Sequence, residues 1–141
     1  MMFRYNKTIN FYDCDPAGII FFARIFEICH SAYEDFINSF NLKHNYWDND
    51  KYAVPIIHTE AEFFLPLKPA DKIIVEVIVT SLRESSFELT YTCRNAVGKV
   101  TNEVKTVHIF IDKKSWKKIP IDPEVNKNLK LHQQEGAKSS Q

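Results

Sequence analysis

The hydrophobic period changes once along this chain of 141 residues, and that change constrains the fold more than any other feature. Between residues 22 and 40, apolar side chains such as Ile25, Cys29 and Phe36 recur at helical spacing. From Tyr52 onward the period becomes two, which is typical of strands with one buried face. The pattern therefore predicts one long helix followed by consecutive antiparallel strands.

Five strands are predicted in all, the first before the helix and four after it. They cover residues 3–11, 54–65, 72–82, 87–95 and 99–111. Turn-forming residues separate them, with Pro66 and Pro69 in one loop and Gly98 in a hairpin. Because an antiparallel sheet with one apolar face needs a cover, we expect an α+β fold in which the sheet wraps around the single helix. The predicted domain covers residues 1–132, in which the stretch after Pro123 is expected to form a short helix, and a polar tail covers residues 133–141.

Composition excludes several classes of partner and site. Lys plus Arg and Asp plus Glu both number 18, so there is no electrostatic reason to expect nucleic acid or a polybasic membrane anchor. Three cysteines without a CxxC pair predict neither a disulfide framework nor a metal site, and no cofactor is expected. The early apolar run of residues 19–26 contains Arg24, is too short to cross a bilayer and lacks the layout of a secretory signal. We therefore expect a cytoplasmic protein.

The segment before the helix carries the most chemical information. It reads Phe-Tyr-Asp-Cys-Asp-Pro-Ala-Gly-Ile-Ile-Phe-Phe over residues 11–22. Pro16 disfavours a helix at Asp15, and Gly18 permits an unusual turn. A helix start offers unpaired N–H groups, which can stabilise the oxyanion of a thioester under attack, while Asp15 acts as nucleophile or general base. A thiol with a pKa near ~8.5 leaves without a strong general acid, so this small set of groups suits a thioester.

This motif resembles the signature of the 4-hydroxybenzoyl-CoA thioesterase family of hotdog proteins, in which an Asp-x-Asp-(Pro/Ala)-(Ala/Gly)-Gly stretch leads into the central helix. The likeness continues through residues 25–34 and 55–67. It implies a hotdog fold and acyl-CoA thioesterase activity, with Asp15 as the catalytic carboxylate and the backbone N–H of Phe22 polarising the thioester. Phe22 stands where many relatives have Tyr or His, which leaves only the main-chain donor.

The resemblance also implies an active site shared between the subunits of a homodimer, which is doubled to a homotetramer. Asp15, Gly18, Phe21 and Phe22 would come from one chain. The acyl pocket would be shaped by Pro55, Ile56, His58 and Thr59 of the partner chain. In the 4-hydroxybenzoyl-CoA enzyme, three successive basic residues contact the CoA phosphates. Only Arg83 of these remains here, because Glu84 and Ser85 follow it.

The Cys-His-x-Ala-Tyr-Glu run at residues 29–34 and the His-Thr-Glu strand are most similar to the branch that hydrolyses 1,4-dihydroxy-2-naphthoyl-CoA on the way to quinones. This predicts a small aromatic acyl-CoA as substrate, of the 1,4-dihydroxy-2-naphthoyl-CoA or 4-hydroxybenzoyl-CoA type, and a place in menaquinone biosynthesis. Three alternatives remain. They are a short-chain aliphatic acyl-CoA thioesterase, a hotdog hydratase with a His base such as His58, and a non-catalytic acyl-CoA sensor.

Other polar residues have simpler interpretations. Asp13 is expected to shape the turn, and Cys14 to be a buried small apolar group and not a nucleophile. His30 is expected on the helix surface or at a dimer contact. Glu27 and Glu34 share one helix face, and some other hotdog thioesterases place a catalytic Glu on that helix. They are the alternative catalysts if Asp15 only starts the helix.

Overall fold

The structure is a computed structural model that describes residues 1–139. Within these residues, eight strands and two α-helices follow each other along the chain, with a short 3-10 turn at Phe11–Asp13. They are β1 (Phe3–Thr8), α1 (Arg24–Asn38), β2 (Tyr52–Ala53), β3 (Ile56–Phe63), β4 (Lys72–Leu82), β5 (Ser86–Arg94), β6 (Val100–Ile109), β7 (Ile111–Asp112), α2 (Pro123–Leu131) and β8 (Gln133–Ser139). No helix in this described part is long and apolar enough to cross a bilayer.

The main sheet has six strands in place of the five predicted. Five of them form the antiparallel order β1-β4-β5-β6-β3, and β8 adds to β4 in parallel beyond the end of β1. A separate two-stranded ladder joins β2 to β7. The α+β class is confirmed, and the short helix expected after Pro123 is α2. The predicted architecture of five strands around one helix is wrong, because α2 and β8 also belong to the fold. Of the predicted tail at 133–141, residues 140 and 141 lie outside the described residues.

The helix α1 covers the inner face of the sheet. Its buried positions recur every three or four residues and pack on the alternate residues of β4, β5 and β6 that face them. They are Ile25, Ile28, Cys29, Ala32, Tyr33, Phe36 and Ile37. The helix begins at Arg24, two residues later than predicted, because residues 21–23 form a turn in which the Arg24 N–H donates to the Phe21 carbonyl at 2.8 Å.

The edge strand β3 differs from the rest of the sheet. Seven of its eight residues are exposed, and only Ala61 is half-buried. It pairs with β6 on one side, and its other edge is unpaired in the described residues. Thr59, Ala61 and Phe63 alternate on the inner face, yet Thr59 and Phe63 are exposed and Ala61 is half-buried.

Candidate active site

The 3-10 turn before the motif is fixed by one buried carboxylate. Asp13 is 4% exposed and accepts a hydrogen bond from the Asn10 N–H at 2.8 Å. The same carboxylate lies 3.5 Å from the ammonium of Lys7 on β1, which compensates its charge. The prediction that Asp13 shapes this turn is confirmed.

Asp15 lies in a tight loop that closes on itself. Its N–H donates to the Ile19 carbonyl at 3.0 Å, and its own carbonyl accepts from the Gly18 N–H at 2.9 Å. Gly18 has a φ of +80°, a backbone conformation that residues with a Cβ rarely adopt. One carboxylate oxygen, Oδ1, accepts from the Ala17 N–H at 2.9 Å, while Oδ2 has no protein partner in the described residues. The half-buried side chain is therefore positioned by one oxygen, and the other oxygen is unpaired within the described residues.

A second unpaired group lies at the start of α1. The Phe21 N–H donates to the Asp13 carbonyl at 2.8 Å, which ties this turn to the 3-10 turn. The Phe22 N–H, by contrast, donates to no protein acceptor within the described residues. Such unpaired N–H groups are usual at a helix start and make it a site for developing negative charge. The rings of Phe21 and Phe22 lie 5.1 Å apart and are both exposed.

These groups line a pocket of about 460 Å³ whose walls are mostly apolar. Its lining residues are Asp15, Ile19, Ile20, Phe21, Phe22, Phe63, Phe64, Leu65 and Pro66. The far wall is held by the N–H groups of Phe64 and Leu65, which both donate to the Thr101 carbonyl, at 2.9 and 3.2 Å. Sequence reasoning missed this wall, although the unbroken apolar run Phe63-Phe64-Leu65 at the end of an alternating strand was a visible signal.

The remaining predicted substrate contacts lie outside the pocket, with His58 and Thr59 in the middle of β3 and the others at the opposite end of the sheet. At about 3.3 Å per residue, β3 carries Ile56 roughly 23 Å away from Phe63 in the pocket wall. Arg83 stands in the β4–β5 turn, next to Ser86, which pairs with Ile109. The Pro55 carbonyl accepts from the Ile109 N–H at 3.1 Å, so Pro55 is at this end too.

Within one chain, the predicted site residues therefore lie in two separate groups. Asp15, Phe21 and Phe22 share the pocket, and Gly18 shapes the loop without lining it. The second group lies elsewhere in the same chain. It consists of Pro55, Ile56, His58, Thr59 and Arg83.

The alternative catalysts lie outside the pocket. Glu27 accepts a hydrogen bond from Arg24 at 2.8 Å, and Glu34 lies 2.8 Å from the ring of His30, all four on the exposed side of α1. Partial burial, followed by the negative charges of Asp13 and Asp15, raises the pKa of the Cys14 thiol. A raised pKa disfavours the thiolate, so Cys14 is a poor nucleophile.

A row of buried polar residues on β5 and β6 was not anticipated. The hydroxyls of Tyr91 and Thr106 lie 2.9 Å apart, and Thr106 lies 2.7 Å from Nε2 of His108. Burial, helped by the charge of His30, lowers the pKa of His108 to about 3, so its ring is neutral at pH 7. Asn102, the register partner of Phe63, is fully buried, and neither side-chain polar atom has a protein partner in the described residues.

One further cluster has the composition of a metal site. His44, Asp122 and Glu124 place ligand atoms within 4.8 Å of each other. Each already has a protein partner, however, because Asp122 accepts from the first N–H groups of α2 and Glu124 accepts from the Lys43 N–H. His44 lies 2.6 Å from the Tyr52 hydroxyl. We therefore assign this cluster to the docking of α2.

The similarity to known proteins extends over nearly the whole domain. Residues 9–129 match the family model described as the thioesterase-like superfamily. The chain is 35% identical over 127 residues to a 1,4-dihydroxy-2-naphthoyl-CoA hydrolase of Nostoc punctiforme, covering 89% of this chain and 84% of that protein. It is 36% identical to the enzyme of the same name from Microcystis aeruginosa, with coverage of 83% and 85%. The crystal structure of a 1,4-dihydroxy-2-naphthoyl-CoA thioesterase from Synechocystis superimposes with a TM-score of 0.85 at 25% identity, covering 92% and 96% of the two chains.

Proposed function

The chain belongs to the thioesterase-like superfamily and has its hotdog fold, and from this premise we propose that it hydrolyses a small aromatic acyl-CoA to the free acid and CoA. The observation that carries the proposal is that an unpaired carboxylate oxygen of Asp15 and an unpaired N–H of Phe22 belong to the same apolar pocket. The pocket walls are rich in Phe, which suits an aromatic acyl group. Relatives named for 1,4-dihydroxy-2-naphthoyl-CoA make a substrate of this type our first choice.

The chemistry follows from these two groups. The Phe22 N–H donates to the thioester carbonyl oxygen and stabilises the negative charge that develops there on attack. Asp15 either takes a proton from the attacking water or attacks the carbonyl carbon itself, forming a mixed anhydride that water then opens. In both routes the carbon–sulfur bond breaks and CoA leaves as a thiolate, which is then protonated. Water and substrate suffice, so the proposal includes no metal or cofactor.

We further propose that the site is completed by a second copy of the chain across β3. An unpaired strand edge with exposed apolar side chains is a template for pairing. If two copies of β3 pair antiparallel about a two-fold axis, the Ile56 end of one lies beside the Phe63 end of the other. The predicted residues Pro55, Ile56, His58 and Thr59 of the partner would then border the pocket of Asp15. Assembly of two such dimers into a tetramer is part of the same proposal.

The competing activities are less well supported by this pocket. A hydratase needs a His base beside its carboxylate, and no His lines the pocket within the described residues. His58 would reach it only from the partner subunit and already lies 3.3 Å from Glu60. Short aliphatic acyl groups would fit the same walls, so the acyl preference has to be measured.

The test is thiol release from a panel of aromatic and aliphatic acyl-CoAs by the wild type, Asp15→Asn and Asp35→Asn. Asp35 is an exposed carboxylate on α1 away from the pocket, so its variant is the matched control. We expect Asp15→Asn to lower kcat on the preferred aromatic substrate by about 10² to 10³-fold, with Asp35→Asn unchanged. Full activity of Asp15→Asn would remove Asp15 as catalyst, and a folded wild type inactive on the whole panel would overturn the proposed function.

A further inference from the structure

One polar side chain in the core has no role in the proposed chemistry and no partner. Asn102 on β6 is 0% exposed, and neither the NH2 group nor the oxygen of its carboxamide has a hydrogen-bond partner in the described residues. A buried amide without partners lowers stability, because the hydration that it loses on folding is not replaced, and native cores contain few such groups. A bound ligand with a polar group would replace that hydration.

Asn102 lies between the core that the helix covers and the pocket. It pairs with Cys93 of β5 on one side and with Phe63 of β3 on the other. The thiol of Cys93 lies beside that of Cys29 on α1, so this neighbour is covered by the helix. Phe63, in contrast, lines the pocket of Asp15. Because paired residues of adjacent strands lie about 5 Å apart, Asn102 is one strand spacing from the pocket wall.

The neighbours of Asn102 along β6 are apolar or already paired. Val104, the next residue on the same face of the strand, is fully buried and has no polar side-chain atom. The carbonyl of Thr101 accepts from the N–H groups of Phe64 and Leu65, at 2.9 and 3.2 Å. These groups therefore offer the amide no free donor or acceptor. They also anchor the pocket wall to the residue that precedes Asn102.

The side chain of Phe63 gives the pocket a route to this amide. Its ring is 46% exposed, so it is packed on one side only. Changes of side-chain rotamer are common in binding sites even where the backbone moves little. The backbone of the wall is fixed to β6, so a rotation of the Phe63 ring would uncover Asn102 without moving the wall.

We propose that Asn102 determines the specificity of the pocket by binding a ring hydroxyl of the acyl group once the Phe63 ring has turned. This inference rests on the proposed function and narrows its substrate class to hydroxylated aromatic acyl-CoAs. A hydroxyl both donates and accepts, and a carboxamide offers a donor and an acceptor, so the two groups pair in either direction. In a mostly apolar pocket, a single polar group of this kind fixes the orientation of the ligand. The substrate thus supplies the partner that the fold does not.

The experiment compares 1,4-dihydroxy-2-naphthoyl-CoA with 2-naphthoyl-CoA, which has the same rings without the hydroxyls. The variants are Asn102→Leu, which keeps the size of the side chain, and Asn102→Ala, which does not require a leucine to fit. The matched control, Val104→Ala, disturbs the same buried face and retains the amide. The hydroxyls change the intrinsic reactivity of the thioester equally for every protein. The ratio of kcat/KM for the two substrates, compared between proteins, therefore isolates the effect of the amide.

We expect this ratio to be about tenfold higher in the wild type than in either Asn102 variant, as for the loss of one buried hydrogen bond. The constants of Asn102→Leu for 2-naphthoyl-CoA should equal those of the wild type, and Val104→Ala should keep the wild-type ratio. Calorimetry with inert thioether analogues, in which a CH2 group separates the carbonyl from the sulfur, should give the same tenfold change in the ratio of Kd values. This binding measurement is independent of any hydrolysis.

A wild-type ratio in both Asn102 variants would overturn this role of the amide and leave the proposed hydrolysis intact. An equal loss of activity on the two substrates would do the same, because it would show that Asn102 only supports the structure. A ratio that falls as far in Val104→Ala would assign the preference to the shape of the buried face and not to the amide. A wild type that prefers the hydroxylated analogue in calorimetry but cleaves neither thioester would overturn the proposed function and not the role of Asn102.

Discussion

Strands β5 and β3 belong to one sheet and both alternate in polarity, yet their environments are opposite. On β5, Leu89 and Tyr91 are 0% exposed beneath α1. On β3, Ile57 is 58% exposed and Phe63 is 46% exposed. Alternation of polar and apolar residues along a strand therefore indicates that one face becomes buried. It does not indicate whether that face is covered by the same chain or by another. For β5 the cover is the chain's own helix, and for β3 we propose that it is a second copy.

The largest effect on stability is expected on β5, the strand that α1 covers. Leu89→Ala leaves a cavity under α1 and should lower the free energy of unfolding by about 2 to 5 kcal/mol at any protein concentration. Ile57→Ala on β3 is the matched variant and should cost less than about 1 kcal/mol in protein dilute enough to be monomeric. Urea titrations followed by circular dichroism measure both. Equal losses in the two variants would contradict the difference between the strands.

The buried ring of His108 makes the covered region sensitive to acid. Its pKa is about 3 in the folded chain, and an unfolded His titrates near ~6.5. Between these values the unfolded chain binds more protons, so the stability that the neutral ring allows is present above pH 6.5 and is lost as the pH falls toward 3. Lowering the pH from 6.5 to 4 should cost about 3 kcal/mol through this group alone.

The measurement is urea unfolding at both pH values for wild type and His108→Gln. In His108→Gln, the free energy of unfolding that is lost on lowering the pH should be smaller by about 3 kcal/mol. The variant His58→Gln, which changes an exposed ring, should lose as much as the wild type. Parallel losses in wild type and His108→Gln would show that His108 is not the group responsible.

A charge on the exposed strand should act on assembly and not on folding. Ile57→Asp places a carboxylate in the proposed β3 interface and should weaken self-association by about 2 kcal/mol, or roughly thirtyfold, with activity falling in parallel. Sedimentation velocity over a range of concentrations measures the change. The control, Ile74→Asp, puts the same charge on the outer face of β4, where Ile74 is 40% exposed. An Ile57→Asp protein that assembles like the wild type would exclude β3 from the interface.

The smallest effect on stability is expected on β6, the strand between β5 and β3. Asn102→Leu replaces a buried amide without protein partners by an apolar group of similar size and should raise stability by about 1 kcal/mol, or roughly 3 °C in Tm. Asn6→Leu on the exposed side of β1 should change neither the free energy of unfolding nor Tm. A loss of stability in Asn102→Leu would mean that the amide has a hydrogen-bond partner.

Local sequence patterns predicted the elements whose packing partners lie nearby in the chain. The interval 72–82 was predicted from alternating valines and isoleucines, and it is β4 without change. The helix predicted at 22–40 became α1, Arg24–Asn38, shortened by the turn at its start and by Asn41, whose φ of 52° ends the helical path. The motif that placed Asp15 before the helix was local too.

What the sequence did not predict depends on distant partners. The segment Gln133–Ser139 lacks apolar alternation, and it becomes β8 only because β1 leaves the end of β4 uncovered. The Phe63–Pro66 wall joins Asp15 across nearly fifty residues of chain. The burial of His108 was not predicted, and it depends on the rings of Phe87 and Tyr33, whose centroids lie 4.6 and 4.4 Å from its own.

The unpaired N–H of Phe22 is a main-chain group, and this affects how the protein can evolve. Every amino acid except proline carries that donor, so substitution at position 22 can reshape the mouth of the pocket without deleting it. If this N–H is the oxyanion donor that we propose, the side chain at position 22 can change with the acyl group while the donor is retained. Under that proposal, substitutions at this one position could alter the acyl preference without removing the proposed donor.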